Sequence, residues 1–347
     1  MNALADLVAG LPEQGPQGSR ATPRVDLDAA LARVAACFHD QITSDLPQVD
    51  NLCRFVERYR GKMLRPSLAI LSALAAAPDR RAVAISDRVI TIGAVIEMIH
   101  IATLVHDDVL DDADTRRGGP TINRLHGSEA AVIFGDYLIS QSFHLCSGLG
   151  DQGVALRVGE VTSTVCAGEM LQLSHRGNPD LDEATYFAII ERKTAALIAV
   201  ACELGARVAG ASEADQKRLW SFGIRLGNAF QIQDDLLDLT GAESVVGKPL
   251  GKDFEKGKLT LPLIHFLRSA PTAERDAVRE RVRIGTPMGD ARASLAERLE
   301  RAGSIAYARA AAERLIAEAK ADLAGFPPSQ SQGALIALAD AVIARDH

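Results

Sequence analysis

Aromatic side chains are scarce in this sequence, and their scarcity limits the kind of core that the chain can build. Only 4% of the 347 residues are Phe, Trp or Tyr, whereas 47% are hydrophobic overall. The core must therefore consist of Ala, Leu, Val and Ile, a mixture that favours helix over sheet. The five cysteines show no CxxC spacing, which fits reduced cytosolic thiols better than disulfides or a zinc site.

An excess of positive charge and long apolar runs are missing as well. The formal net charge is -7, which argues against a nucleic-acid binder that works through a basic surface. No uninterrupted apolar stretch has membrane-spanning length, and the first residues lack the charged-then-apolar pattern of a signal sequence. We therefore expect a cytoplasmic protein with no membrane span and no nucleic-acid partner.

Helical periodicity dominates the rest of the chain. Residues 1–25 are rich in Pro, Gly and polar side chains and are predicted to form a flexible tail. From Asp26, a plausible helix cap, apolar residues recur three and four positions apart. Long helices are predicted from Ser86 and near 128–147, 151–174, 182–208, 212–238 and 306–324. The pattern predicts one all-α domain, a large helical bundle over residues 26–347.

Aspartates crowd the end of the long helix that is predicted from Ser86, in "HDDVLDDAD". Asp107 and Asp111 are four positions apart and would share a helix face, and Asp108 and Asp112 would form a second such pair. Negative charge at a helix C-terminus opposes the macrodipole, so the cluster needs compensating cations. A solvated acidic helix end is the simpler alternative, but the helix is apolar on all sides and two arginines follow closely.

A second cluster of the same DDxxD form lies in "FQIQDDLLD", at the end of another apolar helix, roughly Arg218 to Leu239. Its aspartates are Asp234, Asp235 and Asp238. Two helices that each end in DDxxD can face one another across a bundle, with their carboxylates converging on one cavity mouth. Clustered carboxylates repel one another without cations, and hard oxygen ligands without nearby thiolates favour Mg²⁺.

Basic residues supply the other half of this hypothesis. Mg²⁺ usually keeps waters and takes phosphate oxygens from a substrate, so metal beside Arg and Lys indicates diphosphate binding. The candidate cations are Lys62, Arg65, Arg116, Arg117, Lys193, Lys248, Lys252 and Lys258. The stretch "GKPLGKD" is not a P-loop, because it lacks the Walker spacing and a preceding strand. The sequence therefore predicts several magnesium ions that hold a diphosphate.

Taken in order, these motifs resemble those of the trans-isoprenyl diphosphate synthases, the polyprenyl synthetase family. The resemblance covers about residues 52–267 and rests on "GKMLRP", "HDDVLDDADTRRG", "GDYL", "GEMLQL", "KTAAL", "FQIQDDLLD" and "GKPLGKDFEKGKLTLPLIH". It implies an all-α fold with a central cavity, and a homodimer. It also implies Mg²⁺-assisted condensation of isopentenyl diphosphate with an allylic diphosphate, such as farnesyl or geranylgeranyl diphosphate, to a trans-polyprenyl diphosphate.

The resemblance implies roles for individual residues. The metal-binding positions are matched by Asp107, Asp108, Asp111, Asp234, Asp235 and Asp238. Arg116 matches a contact to the allylic diphosphate. The isopentenyl diphosphate pocket is matched by Lys62, Arg65, His100 and Arg117. Groups beside the allylic substrate are matched by Lys193, Thr194 and Gln231, and further diphosphate contacts by Lys248 and Lys258. Arg60 and Met63 depart from the usual glycine and arginine, which weakens the isopentenyl pocket slightly.

Product length is predicted from the helix that leads to Asp107. Relatives with short products tend to carry a bulky aromatic residue about five positions earlier, roughly 7.5 Å deeper along the helix. Here the upstream face offers Ile99, Ala102 and Thr103, none of them aromatic. We therefore expect a C30–C50 product, and a product of that length would need hand-off to a membrane.

Other functions stay open at this point. A short-chain (C15–C20) synthase would share every motif. A class I terpene cyclase shares DDxxD, but its second metal motif is typically rich in Asn, Ser and Glu, and it would leave the isopentenyl pocket idle. A noncatalytic regulatory subunit of a homologous synthase tends to lose aspartates that this chain keeps. The His106–Asp107 pair also suggests a metal phosphohydrolase, but further suitably spaced histidines are not apparent.

Overall fold

A computed structural model describes residues 26–77, 85–241, 251–284 and 291–344 of the chain. The predicted tail, residues 1–25, and Lys248 lie outside the described residues. The chain divides into two compact units. The first unit comprises the described parts of Met1–Thr162, Leu197–Gly223 and Ala321–Leu338, and the second comprises those of Ser163–Ala196, Ile224–Lys320 and Ala339–His347. The single-domain prediction stays a prediction.

The described residues are almost entirely helical, which confirms the predicted all-α class. The helices of the first half are α1 (Leu27–Ile42), α2 (Pro47–Val56), a 3₁₀ turn (Glu57–Tyr59), α3 (Leu64–Ala76), α4 (Asp87–Leu110), α5 (Ile122–Ser147) and α6 (Gln152–Ser174). Those of the second half are α7 (Glu183–Ile190), a π-helical turn (Glu191–Ala195), α8 (Ala196–Val208), α9 (Glu213–Thr240), α10 (Lys252–Glu255), α11 (Leu261–Ser269), α12 (Thr272–Ile284), α13 (Ala291–Arg301), α14 (Ser304–Leu323) and α15 (Gln330–Ile343).

Helix α4 is the core helix of the first unit. It is packed by α1, α3 and α5, and side chains such as Ile92, Ile96 and Ile99 are fully buried. By length and composition α4 could cross a membrane, but 72% of its most apolar window is buried inside the protein. An apolar surface on all sides of a helix is explained by neighbours that cover it. The first aspartate motif therefore lies at the C-terminal end of this core helix.

The helix predictions agree with the structure to within a few residues. Asp26 caps α1 as predicted, since its Oδ1 accepts a hydrogen bond from the Ala29 N–H at 2.9 Å. Helix α5 begins earlier than predicted, because a kink at Gly127, where φ is 85°, joins an extra turn to it. In the second unit, α11 contacts α7, α12 and α13.

A short hairpin between α4 and α5 was not predicted. Strands β1 (Thr115–Arg116) and β2 (Gly119–Pro120) pair antiparallel. The two residues between them, Arg117 and Gly118, both have positive φ, 50° and 75°. Positive φ at both central residues is what a type I′ hairpin turn requires. Strands of two residues are too short to show alternation, so the sequence indicated only a break at "RGGP". The turn places Arg117 at the hairpin tip.

Candidate active site

The first aspartate motif lies where α4 ends. The N–H of Asp111 donates to the Asp107 carbonyl at 2.9 Å, and both side chains are half-buried. Asp112 follows with φ of 45°, and the N–H of Ala113 reaches back to the Asp108 carbonyl at 2.9 Å. This is a Schellman-type helix end with an aspartate in the left-handed position that glycine usually fills. The predicted helical pair of Asp108 and Asp112 is therefore wrong, because the helix has already ended.

Asp108 points into the protein and is 1% exposed. Arg116 donates to it through Nε at 2.9 Å and Nη2 at 2.7 Å, both to Oδ1. The Tyr59 hydroxyl donates to Oδ2 at 2.9 Å and accepts from the Ile122 N–H at 3.2 Å. Burial lowers the pKa of Arg116, but the hydrogen bond and charge of Asp108 outweigh burial and raise it. The carboxylate thus fixes the guanidinium that the family resemblance matches to an allylic diphosphate contact.

A group of cationic side chains lies around the buried stretch of α4 that precedes the motif. Burial lowers the pKa of Arg65 to about 10, against the opposing charge of Glu97. The Nε of Arg65 is buried and meets no hydrogen-bond partner among the described residues. The Arg117 guanidinium occupies the space beside Gly61, where an added Cβ would lie 2.8 Å from Nη1. Lys62 is exposed.

Two titratable side chains of α4 respond to these cations. The pKa of His100 lies well below its ordinary value because of burial and the charges of Arg65 and Arg117, so the imidazole is neutral near pH 7. The Glu97 side chain is 3% exposed, and burial raises its pKa against the attraction of Arg65, Arg117 and Arg60. Sequence reasoning missed Glu97. Its one signal was an acid in the middle of an otherwise apolar helix.

The second aspartate motif ends α9 in the second unit. Asp235 is 4% exposed and accepts from the Tyr186 hydroxyl at 2.7 Å and from Gln231 Nε2 at 2.8 Å. The Thr194 hydroxyl in turn donates to Gln231 Oε1 at 2.8 Å. Burial, with the charges of Asp253 and Asp234, raises the pKa of Asp235 well above its ordinary value. These hydrogen bonds link three of the predicted site residues, Thr194, Gln231 and Asp235, into one network.

The remaining aspartates of this motif differ in exposure. Asp234 is half-buried, whereas Asp238 is 6% exposed. Asp238 accepts from the backbone N–H groups of Lys252 at 3.4 Å and Asp253 at 3.2 Å, and so caps α10. Lys252 forms an ion pair with Glu255 of the same helix. Lys258 is half-buried. The first residues of α10 therefore lie beside the end of α9.

A π-helical turn presents Lys193 and Thr194. Lys193 Nζ donates to Gln172 Oε1 at 2.9 Å and pairs with the carboxylate of Glu169. A Cβ on Gly168 would lie 2.7 Å from the Lys193 backbone nitrogen, so only glycine allows α6 to approach this closely. Single π-helical turns inside α-helices often mark functional sites. Sequence reasoning quoted "GEMLQL" but missed that its Glu and Gln hold the lysine.

The three residues assigned to product length differ in accessibility. Ile99 and Ala102 are 0% exposed, whereas Thr103 is half-buried and donates to the His100 carbonyl at 2.7 Å. Thr103 also lies four positions before Asp107, on the same helix face. His106 lies elsewhere: its ring packs over Gly135 of α5, and its Nε2 lies 3.2 Å from the Val132 carbonyl.

The donors of each motif, taken separately, suit a metal that arrives with its substrate. Within the described ranges, no group of three or more His, Cys, Asp or Glu side chains could hold a metal ion. The half-buried carboxylates, Asp107, Asp111 and Asp234, are oxygen donors with accessible surface. Mg²⁺ does not need a full protein cage, because waters and phosphate oxygens complete its octahedron. The residues present therefore fit Mg²⁺ bound together with a diphosphate.

Comparison with known proteins gives the same family as the motifs. The sequence model of the polyprenyl synthetase family matches residues 47–296. The octaprenyl diphosphate synthase of Escherichia coli K12 is 34% identical over 317 residues, 91% of this chain and 96% of the relative. A decaprenyl diphosphate synthase structure from Rhodobacter capsulatus superimposes with a TM-score of 0.86 at 33% identity, covering 92% of this chain and 97% of the other.

A further solved structure is described with ligands. The polyprenyl synthase of Caulobacter crescentus CB15, complexed with calcium and isoprenyl diphosphate, superimposes with a TM-score of 0.85 at 31% identity, covering 95% of this chain and 100% of the other. The chain belongs to the polyprenyl synthetase family. The predicted family, with its all-α fold and its prenyl-transferring type of enzyme, is confirmed.

Proposed function

We propose that this chain condenses isopentenyl diphosphate with an allylic diphosphate, farnesyl or geranylgeranyl diphosphate, to make a trans-polyprenyl diphosphate of C30–C50. The observation that carries the proposal lies in the first unit. Asp107 and Asp111 lie at the end of α4, and Arg116 is fixed beside them by Asp108. Such a combination of carboxylates and a held guanidinium suits a metal-bound diphosphate.

Each predicted residue has a physical task in this reaction. Asp107 and Asp111 in the first unit, and Asp234 in the second, would each hold Mg²⁺, which would supply positive charge for a departing diphosphate. Arg116 holds the allylic diphosphate. Arg65, Arg117, Lys62 and His100 hold isopentenyl diphosphate, with neutral His100 donating one N–H. That the two motifs act on the same diphosphate stays a prediction of the sequence.

The allylic carbocation that forms when the diphosphate leaves needs protection from water and stabilisation by dipoles. The Thr194 hydroxyl donates a hydrogen bond to Gln231. The lone pairs of its oxygen therefore remain to face a cation. Lys193, held by Gln172 and Glu169, offers a further cation for the diphosphate. The released diphosphate itself can take the proton that the product loses.

A long product is supported from two directions. None of the side chains before the first motif at Ile99, Ala102 and Thr103 is aromatic, so none of them blocks a growing chain. The similar proteins from Escherichia coli and Rhodobacter capsulatus are named octaprenyl and decaprenyl diphosphate synthases. We therefore expect the same size range here, in a cytoplasmic enzyme whose product passes to a membrane.

The test is an assay of the purified chain alone with Mg²⁺, labelled isopentenyl diphosphate and farnesyl diphosphate, with the products sized by chromatography. Polyprenyl diphosphates of C30–C50 are expected. A sole C20 product would contradict the proposed length. A cyclised hydrocarbon without use of isopentenyl diphosphate would indicate a terpene cyclase. Turnover that requires a second, homologous chain would indicate a regulatory subunit.

We also propose that the enzyme is a homodimer that pairs through α5. The supporting observation is a set of exposed apolar side chains on this helix, Leu125 at 49%, Val132 at 41% and Ile133 at 68%. Exposed apolar groups of this kind mark interaction surfaces. Ile133→Glu should shift the mass measured by light scattering to that of a monomer. Leu46→Glu, at an exposed apolar site before α2 (57%), should leave the dimer intact.

A further inference from the structure

We propose that Arg60 is a further diphosphate-binding residue of the isopentenyl pocket in the first unit. The family resemblance assigns this residue no role, because Arg60 stands where glycine is usual. The inference rests on the proposed function and deepens it, since it adds a cation to the pocket already assigned to isopentenyl diphosphate. Its expected effect is confined to the affinity for that substrate.

Arg60 lies between two residues that each contact one arginine of the hairpin. The Cζ of Arg116 lies 5.8 Å from the centroid of the Tyr59 ring. The Arg117 guanidinium fills the space beside Gly61, where an added Cβ would lie 2.9 Å from its Cζ. Because consecutive Cα atoms are only about 3.8 Å apart, the backbone of Arg60 lies close to both hairpin guanidinium groups.

Two neighbours hold the Arg60 side chain, which is 17% exposed. Its Nη2 donates to Glu57 Oε1 at 2.8 Å, and its Cζ lies 4.9 Å from the centroid of the Phe38 ring, a cation–π contact. The same Glu57 oxygen lies 2.8 Å from His39 Nδ1. The Nε of Arg60 is buried and meets no hydrogen-bond partner within the part of the chain that the structure describes. The guanidinium is therefore fixed in place with a donor still to be satisfied.

Guanidinium groups outnumber carboxylates around Arg60. Glu97, a buried carboxylate of α4, is 3% exposed. Burial raises its pKa, and three guanidinium groups oppose that rise through their charges, those of Arg65, Arg117 and Arg60. Even with Glu57, two carboxylates face three guanidinium groups. The Nε of Arg65 is also buried, and no described residue accepts from it. Two buried donors of this kind are costly unless a ligand satisfies them.

A diphosphate supplies what this region lacks. Its oxygens carry negative charge and accept several charge-assisted hydrogen bonds, and a planar guanidinium matches such acceptors. Arg60 also brings back positive charge where Met63 supplies none, at a position that is arginine in the family pattern. The simpler alternative is a structural ion pair of Arg60 with Glu57, which accounts for Nη2 but not for the buried Nε.

The first experiment measures steady-state kinetics of the full-length protein with each substrate varied in turn. Arg60→Gln should raise the KM for isopentenyl diphosphate about tenfold, the worth of one hydrogen bond to a charged group. The kcat and the KM for farnesyl diphosphate should stay within about twofold of the wild type. The matched control is Arg58→Gln, since Arg58 is exposed and its Cζ lies 5.4 Å from the centroid of the Phe55 ring. This control should match the wild type, and a wild-type KM for isopentenyl diphosphate in Arg60→Gln would overturn the inference.

The second experiment separates substrate binding from a structural ion pair. Glu57→Gln removes the partner of Arg60 but keeps the cation. Because a partly exposed ion pair contributes little, the KM for isopentenyl diphosphate in Glu57→Gln should stay within about threefold of the wild type. Equal losses in Glu57→Gln and Arg60→Gln would mean that Arg60 serves only the ion pair, and they would overturn the inference.

A binding measurement keeps the inference testable apart from turnover. Calorimetric titration of isopentenyl diphosphate at fixed Mg²⁺ should give about tenfold weaker affinity for Arg60→Gln than for the wild type, and wild-type affinity for Arg58→Gln. Equal affinities in Arg60→Gln and the wild type would contradict the role of Arg60. A wild-type chain that binds isopentenyl diphosphate but transfers no prenyl group would defeat the proposed function alone.

A second substitution covers the case in which Arg60→Gln fails to fold. Arg60→Lys keeps the charge but lacks the planar set of N–H donors, including the buried Nε. Its affinity for isopentenyl diphosphate should fall at least about threefold, because lysine cannot replace arginine where the planar donors are used. Wild-type affinity in Arg60→Lys would overturn the inference.

Discussion

At the scale of single residues, the candidate site depends on a few side chains whose positions are set by close packing. Gly61 is one of them, because the Arg117 guanidinium lies in the space that a side chain would need. Arg117 itself has φ of 50°, a conformation that costs energy for a residue other than glycine. The hairpin turn and the missing Cβ together place this cation near His100 and Glu97, with which it interacts electrostatically.

Gly61→Ala should therefore displace Arg117 without unfolding the protein, because the far end of a flexible side chain can move aside. Loss of one charge-assisted contact to isopentenyl diphosphate should raise its KM about tenfold, with kcat little changed. Steady-state kinetics with each substrate varied checks this. Gly333→Ala is the matched control, since nothing lies within 4 Å of the added Cβ. An unchanged KM for isopentenyl diphosphate in Gly61→Ala would argue against a role for Arg117.

His100 gives a prediction about pH. Its pKa in the folded protein lies well below the ordinary value, because burial and the charges of Arg65, Arg117 and Arg116 oppose protonation. The unfolded chain therefore binds a proton near pH 6.5 that the folded chain refuses, so stability is lost as pH falls below that value. The loss amounts to about 1.4 kcal/mol per pH unit until the folded-state pKa is reached.

Urea unfolding of wild type and His100→Gln at pH 5 and pH 7 measures this contribution. The neutral substitute cannot take up the proton, so the variant should lose less stability at pH 5 than the wild type does. The same substitution should keep a hydrogen-bond donor for the diphosphate, so the KM for isopentenyl diphosphate should rise only modestly. Identical pH dependence in the two proteins would mean that the pKa of His100 is the same in the folded protein as in the unfolded chain.

At the scale of elements, α4 combines core packing with the candidate site along one helix. The faces differ: Ile99 and Ala102 are fully buried, whereas Thr103 and Asp107 share a half-buried face. In the second unit the comparable element is the π-helical turn. Two glycines, Gly168 of α6 and Gly227 of α9, let these helices pack closely against it. In the first unit a helix end holds Asp107 and Asp111, and in the second unit a π-helical turn holds Lys193 and Thr194.

The two faces of α4 predict different outcomes for added bulk. Thr103→Phe should shorten the product by at least one isoprene unit and leave stability near that of the wild type, because the side chain enters an accessible space. Ala102→Phe should also shorten the product, but overpacking at a fully buried site should cost about 1–3 kcal/mol. Product sizing and urea unfolding of both variants check this. Wild-type product length in both would remove this helix from the control of length.

At the scale of the whole molecule, the sequence predicted the helices well because their apolar periodicity is local. The end of α4 was predicted less well: Asp112 takes the left-handed position of the helix end, which nothing in an aspartate-rich string signals. Tyr59 and Tyr186 each lie 49 residues before the aspartate that they hold, so no local pattern could reveal the pairs. Spacing showed which residues are chemically suited to the site but not which of them are buried.

We propose that oxygen donors of each DDxxD motif act through divalent ions on a diphosphate. Treatment of the purified chain with EDTA, followed by gel filtration and assay with isopentenyl and farnesyl diphosphates, tests it most directly. Condensation should fall to background and return when Mg²⁺ is added back. Turnover that continues at full rate in excess chelator would contradict it.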